Sequence, residues 1–252
     1  MSRSLLLGLT VVTPLLVTPA WADSPWHGSL GLGATIAPDY LGSDDYKSRL
    51  TPDINLKYGE LAYLNWRDGL GFNVVQTPSW TVSPFIGYHL GRKNTGDLAH
   101  FEKVEDGLTA GIKLAYRPAR WGYSLKAETP MTGDVDGYKV TLRADWREQI
   151  ADNWSVGLSP SLAYYSSAWT SDLFNVSALD SSRSGIKPYQ VESGFWRIGL
   201  AASVTYQFAP AWALTGIAGV VQLTGDAKDS PIVSQVGEAT QTLTGLVLSY
   251  QF

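Results

Sequence analysis

The 252-residue chain contains no cysteine, and only 17% of its residues are charged. The absence of cysteine excludes disulfides, thiol nucleophiles and cysteine metal sites. Beyond residue 22 there is no apolar run long enough for a transmembrane helix. The formal net charge of -4 gives no reason to expect a nucleic-acid partner. The chain is rich instead in glycine, tyrosine and tryptophan, with 25, 13 and 10 residues respectively.

The N-terminus has the three parts of a secretory signal peptide. Arg3 supplies the positive charge, residues 5–17 are apolar, and Ala20-Trp21-Ala22 is a small-residue cleavage site. The alternative is a segment that stays attached as a membrane anchor. Cleavage after Ala22 predicts a signal peptide over residues 1–22 and an exported protein formed by residues 23–252.

Hydrophobicity alternates with a period of two along much of the chain. In residues 196–208 the even positions are apolar, from Trp196 to Phe208, and the odd positions are small or polar. Such alternation is typical of a β-strand that separates two environments. The pattern predicts about twelve strands, an even number as in bacterial outer-membrane barrels. They are 26–37, 50–58, 60–67, 69–76, 80–90, 107–117, 121–128, 138–147, 153–164, 196–208, 211–224 and 240–252.

The connections distinguish a membrane barrel from a soluble sandwich, which alternation alone does not. Tight turns alternate with long loops such as 91–106, 166–193 and 225–239, and residues 67–69 are a tight exception. Short periplasmic turns opposite long extracellular loops are typical of outer-membrane barrels. The sequence therefore predicts an all-β protein, a transmembrane antiparallel β-barrel.

Tryptophan follows the short turns, as in RPARW at 117–121. Indole rings favour the headgroup region of a membrane, because one part of the ring is apolar and the other donates a hydrogen bond. The alternative is a set of independent core tryptophans. We predict a periplasmic aromatic girdle formed by Trp80, Trp121, Trp154 and Trp212.

The last predicted strand ends on an aromatic residue. Leu248, Tyr250 and Phe252 share its apolar face. An exposed apolar strand edge is unfavourable in a soluble protein. The terminus is similar to the signal that outer-membrane proteins present to the barrel-assembly machinery. In a closed barrel this strand would pair with the first, so that no edge stays unpaired in lipid.

The polar strand faces carry more basic than acidic residues. A basic lumen would favour anions. The alternative is that the charges pair with one another and fill a narrow barrel. Twelve strands lie between the roughly eight of a filled barrel and the roughly sixteen of an open channel, so both alternatives stay open. The predicted lumen-lining charged residues are Lys57, Lys113, Arg117, Lys126, Glu128, Lys139, Arg143, Asp145, Arg147 and Arg197.

No motif indicates catalysis or metal binding. The three histidines have no positioned nucleophile and acid in the sequence, and His89 is expected to face the lumen. Asp39, Asp44 and Asp45 could offer oxygen ligands to Ca²⁺, but regular ligand spacing and a terminal Glu are missing. We interpret them as loop acids, with Asp39 and Ser43 making local bonds to the backbone. We therefore expect no enzyme activity, no cofactor and no metal.

Residues 31–46, GLGATIAPDYLGSDDY, resemble the MipA/OmpV family of outer-membrane proteins. Pro52, YGELAYLNW at 58–66 and GLGFNV at 69–74 are similar to that family as well. The resemblance implies a barrel of modest size. One family member is described as a scaffold joining a lytic transglycosylase to a penicillin-binding protein. Others are described as osmotically regulated porins, adhesins or antigens.

Two function hypotheses follow. The first is a non-enzymatic scaffold in the Gram-negative outer membrane, linked to peptidoglycan machinery through a lytic transglycosylase and a penicillin-binding protein. The second is a narrow passive pore for small, anionic solutes. Short turns offer a scaffold little surface, whereas a basic lumen favours the pore. In both cases the expected partners include outer-membrane lipid, lipopolysaccharide and the barrel-assembly machinery.

Overall fold

The computed structural model describes residues 25–252, and the predicted signal peptide, residues 1–22, lies outside them. Within this range the strands form one antiparallel sheet. No helix there is both long and apolar enough to cross a membrane. The strands are β1 Trp26–Pro38, β2 Tyr46–Tyr58, β3 Ala62–Asn65, β4 Gly69–Phe72, β5 Val75–Gln76, β6 Trp80–His89, β7 Gly107–Tyr116, β8 Trp121–Pro130, β9 Lys139–Ala151, β10 Trp154–Tyr165, β11 Phe195–Ala209, β12 Trp212–Leu223 and β13 Thr240–Gln251.

The sheet closes on itself as a barrel. β13 pairs with β1 from Gln251 opposite Ser29 to Thr244 opposite Ile36. The backbone of the last residue continues this ladder, with Phe252 N donating to Gly28 O at 3.1 Å. β4 and β5 both pair with β6 and act as one interrupted strand. The structure thus confirms the predicted twelve-stranded antiparallel barrel.

Two prolines explain where the wall is irregular. Ile54 O accepts from Trp66 N at 3.1 Å, so alternate peptide groups of β2 face the side on which the short β3 lies. The peptide group of Pro52 faces the same side, but beyond the end of β3, where no neighbouring strand would accept a hydrogen bond. The missing N–H of proline therefore costs no hydrogen bond at this position. Pro84 of β6 lies between the segments that pair with β4 and β5. Alternation predicted strands 60–67 and 69–76, which the structure shortens and divides.

The long loops contain short helices that the period-two pattern did not predict. They are α1 Ser167–Phe174, α2 Ala178–Ser184, α3 Gly225–Asp229 and α4 Pro231–Ser234. Ser177 caps α2 in a capping box with Asp180, and Gly185 ends that helix in the left-handed conformation at φ 76°. These local signals were present in the sequence.

The apolar core of the protein lies among the loops at one end of the barrel. It is one cluster, to which each long loop and several strand ends contribute. Because the loops leave the barrel at points all around its rim, a shared cluster must cross the mouth. We call this layer the cap and this end the loop end; the opposite end, with the tight turns, is the turn end. Cap residues include Tyr40, Leu98, Phe101, Val135, Trp169, Phe174, Phe195 and Ile232.

Hydrogen bonds join the loops of the cap. Arg92 Nη1 donates to Leu173 O at 2.5 Å, and Ser230 Oγ donates to Phe174 O at 2.7 Å. Gln241, at the start of β13, donates to Ser43 O at 2.8 Å. The cap is therefore one layer of loops that are bonded to each other, and not a set of separate loops.

Candidate functional site in the barrel lumen

Ion pairs between strands that are not neighbours identify the inner face of the barrel. Asp68, in the turn after β3, pairs with Lys113 of β7 and lies 4.0 Å from Lys126 Nζ of β8. Such partners meet only through the lumen. Since side chains alternate along a strand, the register places the other predicted lumen-lining charged residues of the strands on this same face. Arg117 follows β7 directly, and its side chain lies beside the inward-facing Gly122.

A carboxylate at the centre of the lumen wall is nearly sealed from solvent. The Glu128 side chain is 1% exposed, with Lys139 Nζ at 2.7 Å and Lys126 Nζ at 3.3 Å. Its other oxygen accepts from Thr109 Oγ1 at 2.9 Å. We call Asp68, Lys113, Lys126, Glu128 and Lys139 the mid-lumen network. Their side chains are at most 18% exposed, so on this side of the barrel the charges pair and fill the lumen.

Aromatic rings connect the network to the cap. Lys139 Nζ lies 5.1 Å from the ring centre of Trp169 in the cap, and Lys126 Nζ lies 5.0 Å from that of Phe85. A cation over a ring face is attracted by the ring's quadrupole. His89 faces the interior, where its Nε2 bonds to Thr132 O at 3.0 Å and its ring packs edge-on against Trp169. Its ring is therefore part of the packing under the cap.

Toward the turn end the lumen is wet. Asp145 of β9 accepts from Arg143 Nε at 2.9 Å and from Ser159 Oγ at 2.7 Å. Arg67 Nη1, from the turn after β3, lies 3.8 Å from the same oxygen. The Asp145 side chain is 45% exposed and that of Arg67 is 61% exposed. Because β9 lies on the far side of the barrel, Arg67 extends across the lumen, a role that the sequence did not indicate.

Four predicted lumen bases have no ion pair with the residues that the structure describes. They are Lys57, Arg117, Arg147 and Arg197. The first three lie toward the turn end. We call the wet part of the lumen the vestibule; its bases are Lys57, Arg67, Arg117, Arg143 and Arg147, and its acids are Asp53 and Asp145.

The wall opposite the charged strands leaves space in the lumen. It is formed by β10 to β13 and β1, whose inward residues are mostly small. Their side chains do not reach far toward the arginines, so this side of the lumen is not filled. The small inward residues are Gly31, Gly33, Thr35, Gly157, Ser159, Ser161, Gly199, Ala201, Ser203, Thr215, Gly219 and Gly245.

The four tryptophans predicted for the girdle all lie at the turn end, between 36% and 44% exposed. Trp80 stacks on Tyr116 with ring centres 4.4 Å apart. Trp154 likewise stacks on Tyr206 of the neighbouring strand. Trp121 and Trp212 make tilted contacts across neighbouring strands with Trp146 and Tyr250. The result is one aromatic belt around this rim. Leu248 and Tyr250 of the predicted assembly signal are likewise exposed on the outer face, and Phe252 packs on Tyr250.

Asp39 of the PDY motif anchors the first loop under the cap. Its side chain is 3% exposed and pairs with Lys47, with Arg49 at 2.6 Å and with Lys93 at 3.5 Å; Thr95 Oγ1 also donates to it at 2.6 Å. Burial raises the pKa of Asp39, but the bonds from Lys47 and Thr95 and the nearby lysine charges outweigh it and hold the pKa below its usual range.

The remaining loop acids do not form a metal site in the described part of the chain. Ser43 Oγ accepts from Asp45 N at 3.0 Å, which is a local turn bond of the predicted kind. Within residues 25–252 no group of three or more histidine, aspartate or glutamate side chains is arranged to hold an ion. Burial and the charges of Asp44, Asp97 and Asp45 raise the pKa of Tyr40 to about 12, against the bond with Ser43, which lowers it.

Comparison with known proteins agrees with this geometry. The chain is 23% identical to the MltA-interacting protein of Escherichia coli K12 over 267 aligned residues, which cover 99% of this chain and 98% of that protein. The protein of the same name from Shigella flexneri matches equally well. Among solved structures, the NanC porin superposes with a TM-score of 0.50 at 10% identity, covering 88% of this chain and 100% of that chain.

The NanC likeness shows the fold alone, an outer-membrane β-barrel of the porin type. The family is shown by a protein-family sequence model that matches residues 30–252, nearly the whole described barrel. The chain belongs to the family of the MltA-interacting protein MipA.

Proposed function

We propose that this protein is a non-enzymatic, non-conducting scaffold of the outer membrane, which binds a cell-wall lytic transglycosylase at its periplasmic end. The observation that carries the proposal is the asymmetry of the lumen. The cap closes the loop end with one apolar core, whereas the side chains of Arg67 and Asp145 are open to solvent toward the turn end. With short turns on the periplasmic side, the open end faces the cell wall.

Short turns by themselves offer a partner little surface, and the vestibule enlarges it. A concave lumen adds to the rim an interior surface that a partner segment can enter. The names of the relatives from Escherichia coli and Shigella flexneri describe interaction with MltA, and we extend that class of partner to this chain. A penicillin-binding protein would be a second partner of the same assembly.

The cap argues against the alternative, a narrow passive pore, because it lies across the path that a solute would take. An anion that enters the vestibule passes basic side chains but reaches the tied loop layer before it leaves the barrel. We therefore expect no steady ion conductance from the intact chain.

Contact of the aromatic belt with headgroups and recognition of the C-terminal strand by the assembly machinery remain part of this proposal. Both are supported by exposure. Trp80 at the turn end is 44% exposed and Tyr250 of the last strand is 40% exposed, as expected for outward-facing aromatic residues at an interface.

Two measurements test the function. The purified barrel, immobilised in lipid nanodiscs, should capture a purified lytic transglycosylase, while an empty nanodisc should not. In planar bilayers the same preparation should show no single-channel steps. Stable channels together with failure to capture the enzyme would replace the scaffold with the pore.

A further inference from the structure

We propose that the vestibule contains a carboxylate-binding site, in which Arg67 and Arg143 hold a ligand that enters from the periplasmic end. The site deepens the proposed function, because a partner that reaches the lumen would dock there. The structure supports it through unused donors, charge, access and the closed opposite end.

Both guanidinium groups have N–H donors that make no hydrogen bond to the described residues. Arg143 contacts Asp145 through Nε, and its Nη groups make no hydrogen bond to the described residues. Arg67 approaches the same carboxylate only to 3.8 Å, outside hydrogen-bond distance. Asp145 thus gathers two guanidinium groups around one of its oxygens without saturating either group. The planar fork of a free arginine matches the two oxygens of a carboxylate.

The charge around the pair favours an anion. The five cationic side chains of the vestibule outnumber its acids, Asp53 and Asp145, and the neighbouring Asp68 is itself paired with Lys113. Arg147 lies two residues beyond Asp145 on the same face of β9, and Arg117 lies beside Gly122, which is opposite Asp145. An anion at Arg67 and Arg143 therefore lies in a field with several positive side chains and few acids.

The site is reached from the turn end. Arg67 is 61% exposed, and the small residues of the opposite wall leave room beside it. At the loop end the cap closes the mouth. A ligand that enters from the turn end meets the cap at the other end, so the site is suited to retaining a bound group and not to passing a solute through.

Titration of the detergent-solubilised full chain tests the site with two carboxylate probes and one neutral probe. The carboxylate probes are citrate and a hexaglutamate peptide, and the neutral probe is hexaglutamine. Arg67→Gln and Arg143→Gln should each weaken hexaglutamate binding about tenfold, whereas Asp145→Asn should tighten it. Arg183→Gln is the matched control, because Arg183 is exposed on α2 in the cap and its removal changes the net charge equally.

The outcomes separate the sources of the carboxylate. Citrate binding that equals hexaglutamate binding indicates a small free carboxylate, and much tighter hexaglutamate binding indicates an acidic chain segment. Equal affinities for Arg67→Gln and Arg183→Gln, or hexaglutamine binding as tightly as hexaglutamate, would overturn the site. The heat-dependent gel mobility of each variant verifies that the barrel is folded.

The scaffold and the site are tested separately. A barrel that captures the transglycosylase but binds no carboxylate probe keeps the proposed function and refutes the site. A barrel that binds the probes through Arg67 but captures no enzyme keeps the site and refutes the scaffold.

Discussion

Glu128 lies between two lysines in the most solvent-excluded part of the lumen, so its neutralisation should be unusually costly. In Glu128→Gln the side chain keeps its volume but loses its charge. Lys139, 16% exposed, and Lys126, 14% exposed, then remain as cations without that counter-ion. Removal of one partner from a buried ion pair costs about 3–5 kcal/mol, and we expect a loss of this size in the free energy of unfolding.

A second carboxylate of the lumen supplies the contrast. Asp145 is 45% exposed, and its partners Arg67 and Arg143 are 61% and 21% exposed. Exposed pairs contribute about 0–1 kcal/mol, so Asp145→Asn should change the stability little. The double variant Glu128→Gln/Lys139→Met removes one stranded lysine along with the carboxylate and should regain much of the loss, since the replacement of whole buried pairs is tolerated better than their disruption.

Urea unfolding in phospholipid vesicles, followed by tryptophan fluorescence, measures these differences by linear extrapolation. Comparable slopes for all variants would show that the compared states are the same. If Glu128→Gln cost no more than Asp145→Asn, the description of a buried network above a wet vestibule would be wrong.

Three further predictions concern the faces, the loop anchor and the last strand. Leu142→Arg puts a cation on the lipid face of β9 and should cost about 2–4 kcal/mol in vesicle unfolding near the midplane. Arg147→Leu, inward and without an ion pair among residues 25–252, should cost less than about 1 kcal/mol, and equal losses would contradict the assignment of the faces. Asp39→Asn should speed proteolysis of the cap at neutral pH. Because the folded-state pKa of Asp39 is lowered, its stabilisation is complete above the unfolded-state value of about 3.9 and is lost as the pH falls toward the folded value. The difference between wild type and Asp39→Asn should therefore be constant above about pH 5 and shrink below about pH 4, and a difference that grew on acidification would contradict this assignment. Deletion of Phe252 should lower the amount of barrel in the outer-membrane fraction, as measured by immunoblot, while a cap variant such as Arg183→Gln should not.

For the basic residues of the lumen, the sequence predicted the face of the wall but not the partners. Alternation along each strand placed Lys113, Lys126 and Arg143 on one face, because side-chain direction depends only on parity within the strand. Which acid each base meets was not predictable. Asp68 and Arg67 come from a turn that is remote in sequence from β7, β8 and β9, and only closure of the barrel brings them together.

The division of the lumen into a filled and a wet part could not be predicted from the sequence either. Glu128 and Asp145 are both acids on inward strand positions between basic neighbours, yet one is sealed and the other is open. The difference depends on what surrounds each group. Glu128 lies under the cap, paired with Lys139, which packs on Trp169, whereas Asp145 lies toward the turn end beside Ser159 of the small-residue wall.

The sequence by itself determined the strand order, the two faces of the wall and the rim that carries the tryptophans, because each of these follows from local periodicity and turn length. The tertiary structure decided that the loop end is closed and that Arg67 crosses the lumen. Both depend on contacts between segments far apart in the chain, such as Ser230 with Phe174 and Gln241 with Ser43. Local patterns specify which way a side chain points, but only the closed barrel specifies what it meets.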